Sequence, residues 1–311
     1  MMPSPLRLNA VPLRADLSDD EGAIARSVLY AALFDYPLTL AQLRRTLIGS
    51  TQTPSQILAT LRTSVALGEI VAQADGYFFP TGRRDLIDVR RSRESRSRGF
   101  LESHALLLRT IAALPYVRML ALSGSVAHLN LEQGGDLDIF LVTRGRRVWS
   151  TTVLVVLLAK LLGRRRTLCA NFVVADSALH FAQADLFTAN QIVGLKTVTG
   201  TDVFQTIVRL NPFVRAFYHN FHAADSSPLH IRHGAAMRLL RRSAEIVLWG
   251  PSAVFELVCR TAYRSYLRRR ASTWTSPDQV TLGDAVVKLH TRSHRHEVLS
   301  RFDEAVSDTL D

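Results

Sequence analysis

The chain of 311 residues is 47% hydrophobic, 21% charged and 8% aromatic, which supplies a substantial core and excludes a disordered or fibrous protein. Its two cysteines, Cys169 and Cys259, lie far apart with no CxxC partner, so neither a disulfide framework nor a zinc site is encoded and a reducing, cytoplasmic setting is expected. The net charge of +11, with basic clusters at Arg83-Arg84, Arg90 to Arg98, Arg144 to Arg147, Arg164 to Arg166, Arg241-Arg242 and Arg268 to Arg270, favours nucleotide phosphates, nucleic acid or an acidic membrane surface as partners. A solvated basic surface weighs equally.

Residues 1–20 carry Pro3, Pro5 and Pro12 without an apolar run; they read as a flexible leader, neither signal peptide nor transmembrane anchor. Residues 21–82 change period in an informative order. Ile24, Val28, Leu29 and Leu33 fall at helical spacing up to Tyr36-Pro37, Thr39 caps a second helix, and Thr53-Pro54 opens a third with Ile57, Leu61 and Val65 on one face. Two short strand-like runs, Glu69 to Ala72 and Tyr77 to Phe79, then flank an Asp75-Gly76 turn. Three helices and a hairpin resemble a winged helix-turn-helix. Its third helix offers only Gln56, Arg62 and Thr63 to a nucleic acid, so DNA reading is the minority expectation.

Residues 83–98 form a basic linker with a solvated helical face, and residues 99–200 hold the central domain. Its pattern is a helix from Phe100 to Leu114, a strand Val117 to Leu122, a Ser-Gly-Ser turn, a short helix, a strand Leu137 to Thr143, an apolar helix Val148 to Leu162, and a strand Leu168 to Ala175. The Val148 helix is shorter than the roughly 20 residues a bilayer span needs and contains Lys160, so it reads as a core helix. Residues 201–270 are read as a C-terminal helical bundle and residues 271–311 as a polar tail. The stretch Met237 to Arg270 interleaves apolar residues with arginine; core helices are favoured over peripheral membrane contact.

The chemistry concentrates between Leu122 and Thr143. A Gly124-Ser125 turn between strand and helix lets backbone N–H groups and a hydroxyl approach phosphate oxygens. Asp136 and Asp138, two apart in a strand, aim both carboxylates at one point, and hard oxygen ligands beside a phosphate site favour Mg2+ or Mn2+.

The segment LSGSVAHLNLEQGGDLDIFLV resembles the signature of the DNA polymerase beta-like nucleotidyltransferase superfamily, in which Gly-Ser precedes Asp-x-Asp by about ten residues. The likeness extends over Val117 to Ala175, and with LCANF and DLFTA it covers a bacterial group described only as nucleotidyltransferase domain proteins. It implies an α+β protein: a minimal nucleotidyltransferase mixed sheet with flanking helices, preceded by the winged-helix-like domain and followed by the helical bundle. It further implies that Gly124 and Ser125 hold nucleotide phosphates, that Asp136 and Asp138 hold the metal, and that a nucleoside monophosphate moves from a nucleoside triphosphate to a hydroxyl acceptor.

Active members add a third carboxylate on the next strand. Here Asn171 stands in the best-placed position, and an amide is no base; Asp176 lies on the opposite parity at the strand end. The rival expectation is a non-catalytic nucleotide-sensing or DNA-binding regulator with a degraded site. Lys196 is a candidate for neutralising a triphosphate. His128, one turn past Gly124-Ser125, is read as a structural histidine ahead of a phosphate contact. His290, His294 and His296 lack the carboxylate frame of a metal site.

Overall fold

The computed structural model describes residues 17–226, 228–229, 243, 245, 252–290 and 293–310. Most of the expected leader, Arg241-Arg242 and much of the Met237 to Arg270 stretch lie outside the described residues.

Reciprocal capping boxes start three N-terminal helices: Ser18 with Glu21 at α1 (Asp19–Ala32), Thr39 with Gln42 at α2 (Leu40–Arg45), and Thr53 with Gln56 at α3 (Pro54–Thr63). A short α4 (Val65–Ile70) leads into β2 (Val71–Ala74) and β3 (Tyr77–Pro80). Asp75 and Gly76 between them have φ of 53° and 80°, the left-handed pair that a two-residue hairpin requires. β1 (Leu38–Thr39) pairs antiparallel with β3, giving the order β1-β3-β2.

The expected linker is no linker. Residues 83–98 run into one 27-residue helix, α5 (Leu86–Ala112). Its basic face is also not simply solvated: the Arg90 guanidinium is buried 4.2 Å from the Tyr36 ring and 4.9 Å from Tyr77, and it donates to the Pro37 carbonyl. Arg93 pairs with Asp35 at 3.3 Å and Glu132 at 3.0 Å, and Ser97 Oγ accepts from Leu131 N. The helix thereby fastens the N-terminal elements to the loop that carries the Asp-x-Asp motif.

The protein is α+β, 55% helix and 16% strand, with mixed sheets and no barrel. The larger sheet has six strands in the order β7-β4-β5-β6-β9-β8. β4 (Val117–Leu122) is antiparallel to β5 (Leu137–Thr143) and to β7 (Lys196–Thr199), and β5 is parallel to β6 (Leu168–Ala175). The alternating faces of the strands serve two cores. Leu120, Leu122, Ile139, Leu141 and Val173 face α7 (Val148–Leu161), the end of α5 and Cys259 of α11 (Ser252–Arg269). Met119, Ala121, Phe140, Val142 and Val174 face a core shared with α8 (Leu186–Gly194), α9 (Thr201–Leu210) and α10 (Phe213–Phe217). That second core continues without a break into α1, α2 and α3, so the N-terminal elements from Leu17 onward are packed into the body of the molecule.

α7 has no side-chain cap of its own; Glu256 of α11 accepts from Trp149 N at 2.9 Å and Ser150 N at 2.8 Å, placing a carboxylate on the helix N-terminus. α7 buries Trp149, Val155 and Ala159 and is a core helix, as its sequence suggested. No helix among the described residues is long and apolar enough to cross a membrane.

The polar tail expected over residues 271–311 is corrected. β8 (Val280–Leu282) and β9 (Val286–Leu289) extend the sheet beside β6, and α12 (Arg295–Leu310) buries Val298, Phe302, Val306 and Leu310. These apolar residues recur every four positions but are separated by charged ones, so average polarity concealed a helix with one buried stripe.

Candidate functional site

β4 ends at Leu122, and the chain turns through Ser123 into a short helix, α6 (Gly124–Ala127). Ser123 N donates to the Asp138 carbonyl at 2.9 Å, which ties the turn to the start of β5. Gly124 has φ of +63°, and a Cβ on it would lie 2.5 Å from Asp138 Oδ2. Glycine is thus required twice, by the backbone conformation and by the carboxylate lying over it. Leu129 also has positive φ, 55°, and Asn130 N returns to the Ser125 carbonyl at 2.8 Å, closing the loop around the short helix.

β5 and β6 carry the other half. The register pairs Asp138 with Cys169 and Phe140 with Phe172, so β6 has one extra residue between these points, a bulge. Asn171 Nδ2 donates to Asp138 Oδ1 at 2.7 Å, and the Cys169 thiol donates to Asp136 Oδ2 at 3.3 Å. Asp136, Asp138, Asn171 and Gly124 therefore come together, with Ser125 beside them only as the chain neighbour of Gly124. Cys169 is an addition; its i, i+2 spacing to Asn171 was the available signal.

Burial and the neighbouring Asp136 push the Asp138 carboxyl up to about 6, against the pull of the Asn171 amide. Burial, followed by the two aspartates, pushes the Cys169 thiol up to about 12, so it stays protonated as a donor. A buried carboxylate raised by a neighbouring one, as Asp138 is beside Asp136, belongs to a donor set that a divalent cation would relieve. Asp136 and Asp138 are the residues that fit such an ion; no group of three or more His, Cys, Asp or Glu side chains gathers at one point among the described residues.

Asp176 is not part of this arrangement. It sits past the far end of β6, roughly 20 Å of strand away, where it pairs with Arg118 at 3.3 Å and accepts from Gly145 N at 3.0 Å. A bend in β6 cannot bring it to Asp138. His290 packs beside Phe172, and His294 and His296 pair with Glu297 and Asp278, so these histidines form no cluster.

A cavity of about 690 Å³ opens from Gly124 and Ser125 toward α1, α2 and α8. Lys196, the first residue of β7, lies in register with Leu122 and lines it together with Arg45 and His128. The strand that carries Lys196 was absent from the sequence reading, because four residues after a helix give no period. Lys196 has no hydrogen-bond or carboxylate partner among the described residues, and burial and Arg45 hold its ammonium below the ordinary lysine range. Arg45 donates to Ser226 Oγ at 2.8 Å and the Val193 carbonyl at 3.1 Å, leaving its buried Nε unpaired. Burial, then Lys196, Arg45 and Arg90, hold the His128 imidazole down at about 4, so it is neutral at pH 7. Nothing in the sequence marks Arg45, which reaches the cavity by a long-range hydrogen bond from α2 to the Val193 carbonyl of α8.

Comparison with protein-family models, curated proteins and solved structures gives no match.

Proposed function

We propose that the protein is a metal-dependent nucleotidyltransferase, built on the nucleotidyltransferase sheet that its Gly-Ser and Asp-x-Asp motifs resemble and carrying a winged-helix-like N-terminal part. The observation that supports this reading is the close approach of the Asp138 carboxylate to the Gly124 turn, beside Asp136 and Asn171. Ser125 and the turn's backbone N–H groups would receive nucleotide phosphates, and Lys196 and Arg45 in the adjoining cavity would neutralise their charge. Asp136 and Asp138 would hold Mg2+ or Mn2+, which when bound supplies charge neutralisation at the transferring phosphate. The protein's own contribution is to position the nucleotide against the acceptor in a half-buried site.

A second reading, nucleotide sensing without turnover, is favoured by Asn171 at the position of the third carboxylate. A DNA-reading output is not: the outward face of α3 presents Ser55, Gln56, Ala59, Arg62 and Thr63, a single cation where a phosphate backbone needs several.

Titration calorimetry of ATP, GTP, CTP and UTP with Mg2+ tests the site on the wild type and on Asp136→Asn/Asp138→Asn. Metal-dependent binding of a nucleotide that is lost in the double variant is expected. Absence of binding at millimolar concentration would remove both the transferase and the sensor readings.

A further inference from the structure

We propose that the acceptor presents an anionic oxygen, a phosphate monoester or a carboxylate, in place of the hydroxyl implied by the sequence likeness; this rests on the nucleotidyl-transfer reading above. A hydroxyl nucleophile must surrender a proton as it attacks phosphorus, and some group beside the metal-binding pair has to receive it. The β6 side chains that face the pair are both donors already turned toward it. Asn171 Nδ2 is spent on Asp138 Oδ1 at 2.7 Å and the Cys169 thiol on Asp136 Oδ2 at 3.3 Å. An amide has no basic lone pair to offer. The imidazole at the base of this edge, His104, is also committed: one ring nitrogen lies 2.8 Å from the Phe100 carbonyl and the other 2.9 Å from Thr167 Oγ1. Asp176 is engaged by Arg118 and Gly145 at the opposite end of the strand.

The same edge is strongly cationic. Arg164, Arg165 and Arg166 occupy the loop that enters β6, and none has a carboxylate partner among the described residues. Thr167, next in this loop, is fixed to the start of β5 by Leu137 N donating to its carbonyl at 2.7 Å. Arg165 Nη1 holds the carbonyl of Leu168, the neighbour of Cys169, at 3.2 Å. Guanidinium groups favour the planar, multidentate pairing that phosphate and carboxylate oxygens offer. An acceptor that arrives ionised removes the need for a base and is attracted by the arginines.

The reaction then balances without a proton transfer. An acceptor oxygen bearing a negative charge attacks the α-phosphorus of the nucleoside triphosphate and forms a new P–O bond. The bond from that phosphorus to the bridging oxygen of the β-phosphate breaks, and pyrophosphate departs with the electron pair. A phosphate monoester yields a pyrophosphate-linked nucleotide and a carboxylate yields an acyl nucleotide.

The experiment uses the full chain with Mg2+ and the α-labelled form of whichever nucleotide it binds in calorimetry. Phenyl phosphate and benzoate, which lack an alcoholic hydroxyl, are compared with benzyl alcohol and glycerol at millimolar concentration. Labelling of phenyl phosphate or benzoate, and not of the alcohols, is expected, and the pair also separates the two anion sources. Arg165→Gln, a change at an exposed side chain, is expected to raise the KM for the anionic probe about tenfold, as loss of a charge-assisted contact does, with nucleotide affinity unchanged. Labelling of glycerol or benzyl alcohol as fast as phenyl phosphate overturns the proposal, and so does a protein that binds nucleotide yet labels neither anion. Failure to bind any nucleotide strikes the nucleotidyl-transfer reading itself.

Discussion

Gly124 is where backbone conformation and carboxylate chemistry meet. A methyl group there would stand 2.5 Å from Asp138 Oδ2 while the residue holds a φ of +63°. An L-residue in that conformation costs roughly 1–2 kcal/mol, and the carboxylate must also rotate away from the turn. Gly124→Ala is therefore expected to lower the melting temperature by a few degrees and to weaken nucleotide binding at least about tenfold, the equivalent of 1.4 kcal/mol. Calorimetry beside thermal denaturation checks this; affinity equal to wild type would show that the turn and Asp138 do not act together. At this scale the site was legible. Residues two apart in a strand share a face, so Asp136 with Asp138 followed from spacing alone, and Asn171 followed from the family resemblance, which expects a third carboxylate on the next strand. What spacing could not supply was the bulge in β6, because a bulge is a relation between two strands.

At the scale of elements, helices with continuous apolar faces and marked caps were readable, and elements whose stability is borrowed from neighbours were not. α12 illustrates the second kind. Val298, Phe302, Val306 and Leu310 sit among arginines, aspartates and glutamates, and only the surfaces of α1 and α8 give that stripe a meaning. β7, β8 and β9, of three or four residues each, are similarly defined by the sheet they join. α12 also makes a quantitative test possible. The Phe302 ring meets Tyr30 edge-on at 5.2 Å between centroids and is 8% exposed. Phe302→Ala leaves a cavity against α1 and is expected to cost about 3–4 kcal/mol in urea denaturation. A change within about 0.5 kcal/mol, the range of ordinary surface positions, would mean that the helix is not docked there. Since Tyr30 also lines the cavity beside Gly124, the same variant is expected to weaken nucleotide binding.

For the whole molecule, the core from α1 through one face of the sheet to α12 is continuous, so buried titratable groups on these elements bear on the stability of one packed unit. Two buried histidines contribute most visibly to its acid sensitivity. His128 is held down at about 4 by burial and by Lys196, Arg45 and Arg90, and His290 is held down at about 4 by burial and Lys288. Unfolded, both would titrate near 6.5, so the unfolded chain binds protons that the native protein refuses. Their stabilisation is fully present above pH 6.5 and is lost as pH falls to about 4, each contributing about 3 kcal/mol across that window. Asp138 acts in the opposite sense. Its carboxyl is raised to about 6 in the folded protein, so falling pH relieves a native-state penalty and offsets about 2 kcal/mol of the loss. Together these three groups are expected to contribute a loss of about 3–4 kcal/mol between pH 7 and pH 4 to the urea denaturation of the metal-free wild type. His128→Gln and His290→Gln should each flatten that slope, and Asp138→Asn should steepen it. A wild-type profile that is flat, or one that the histidine variants leave unchanged, would show that these side chains reach water in the folded state.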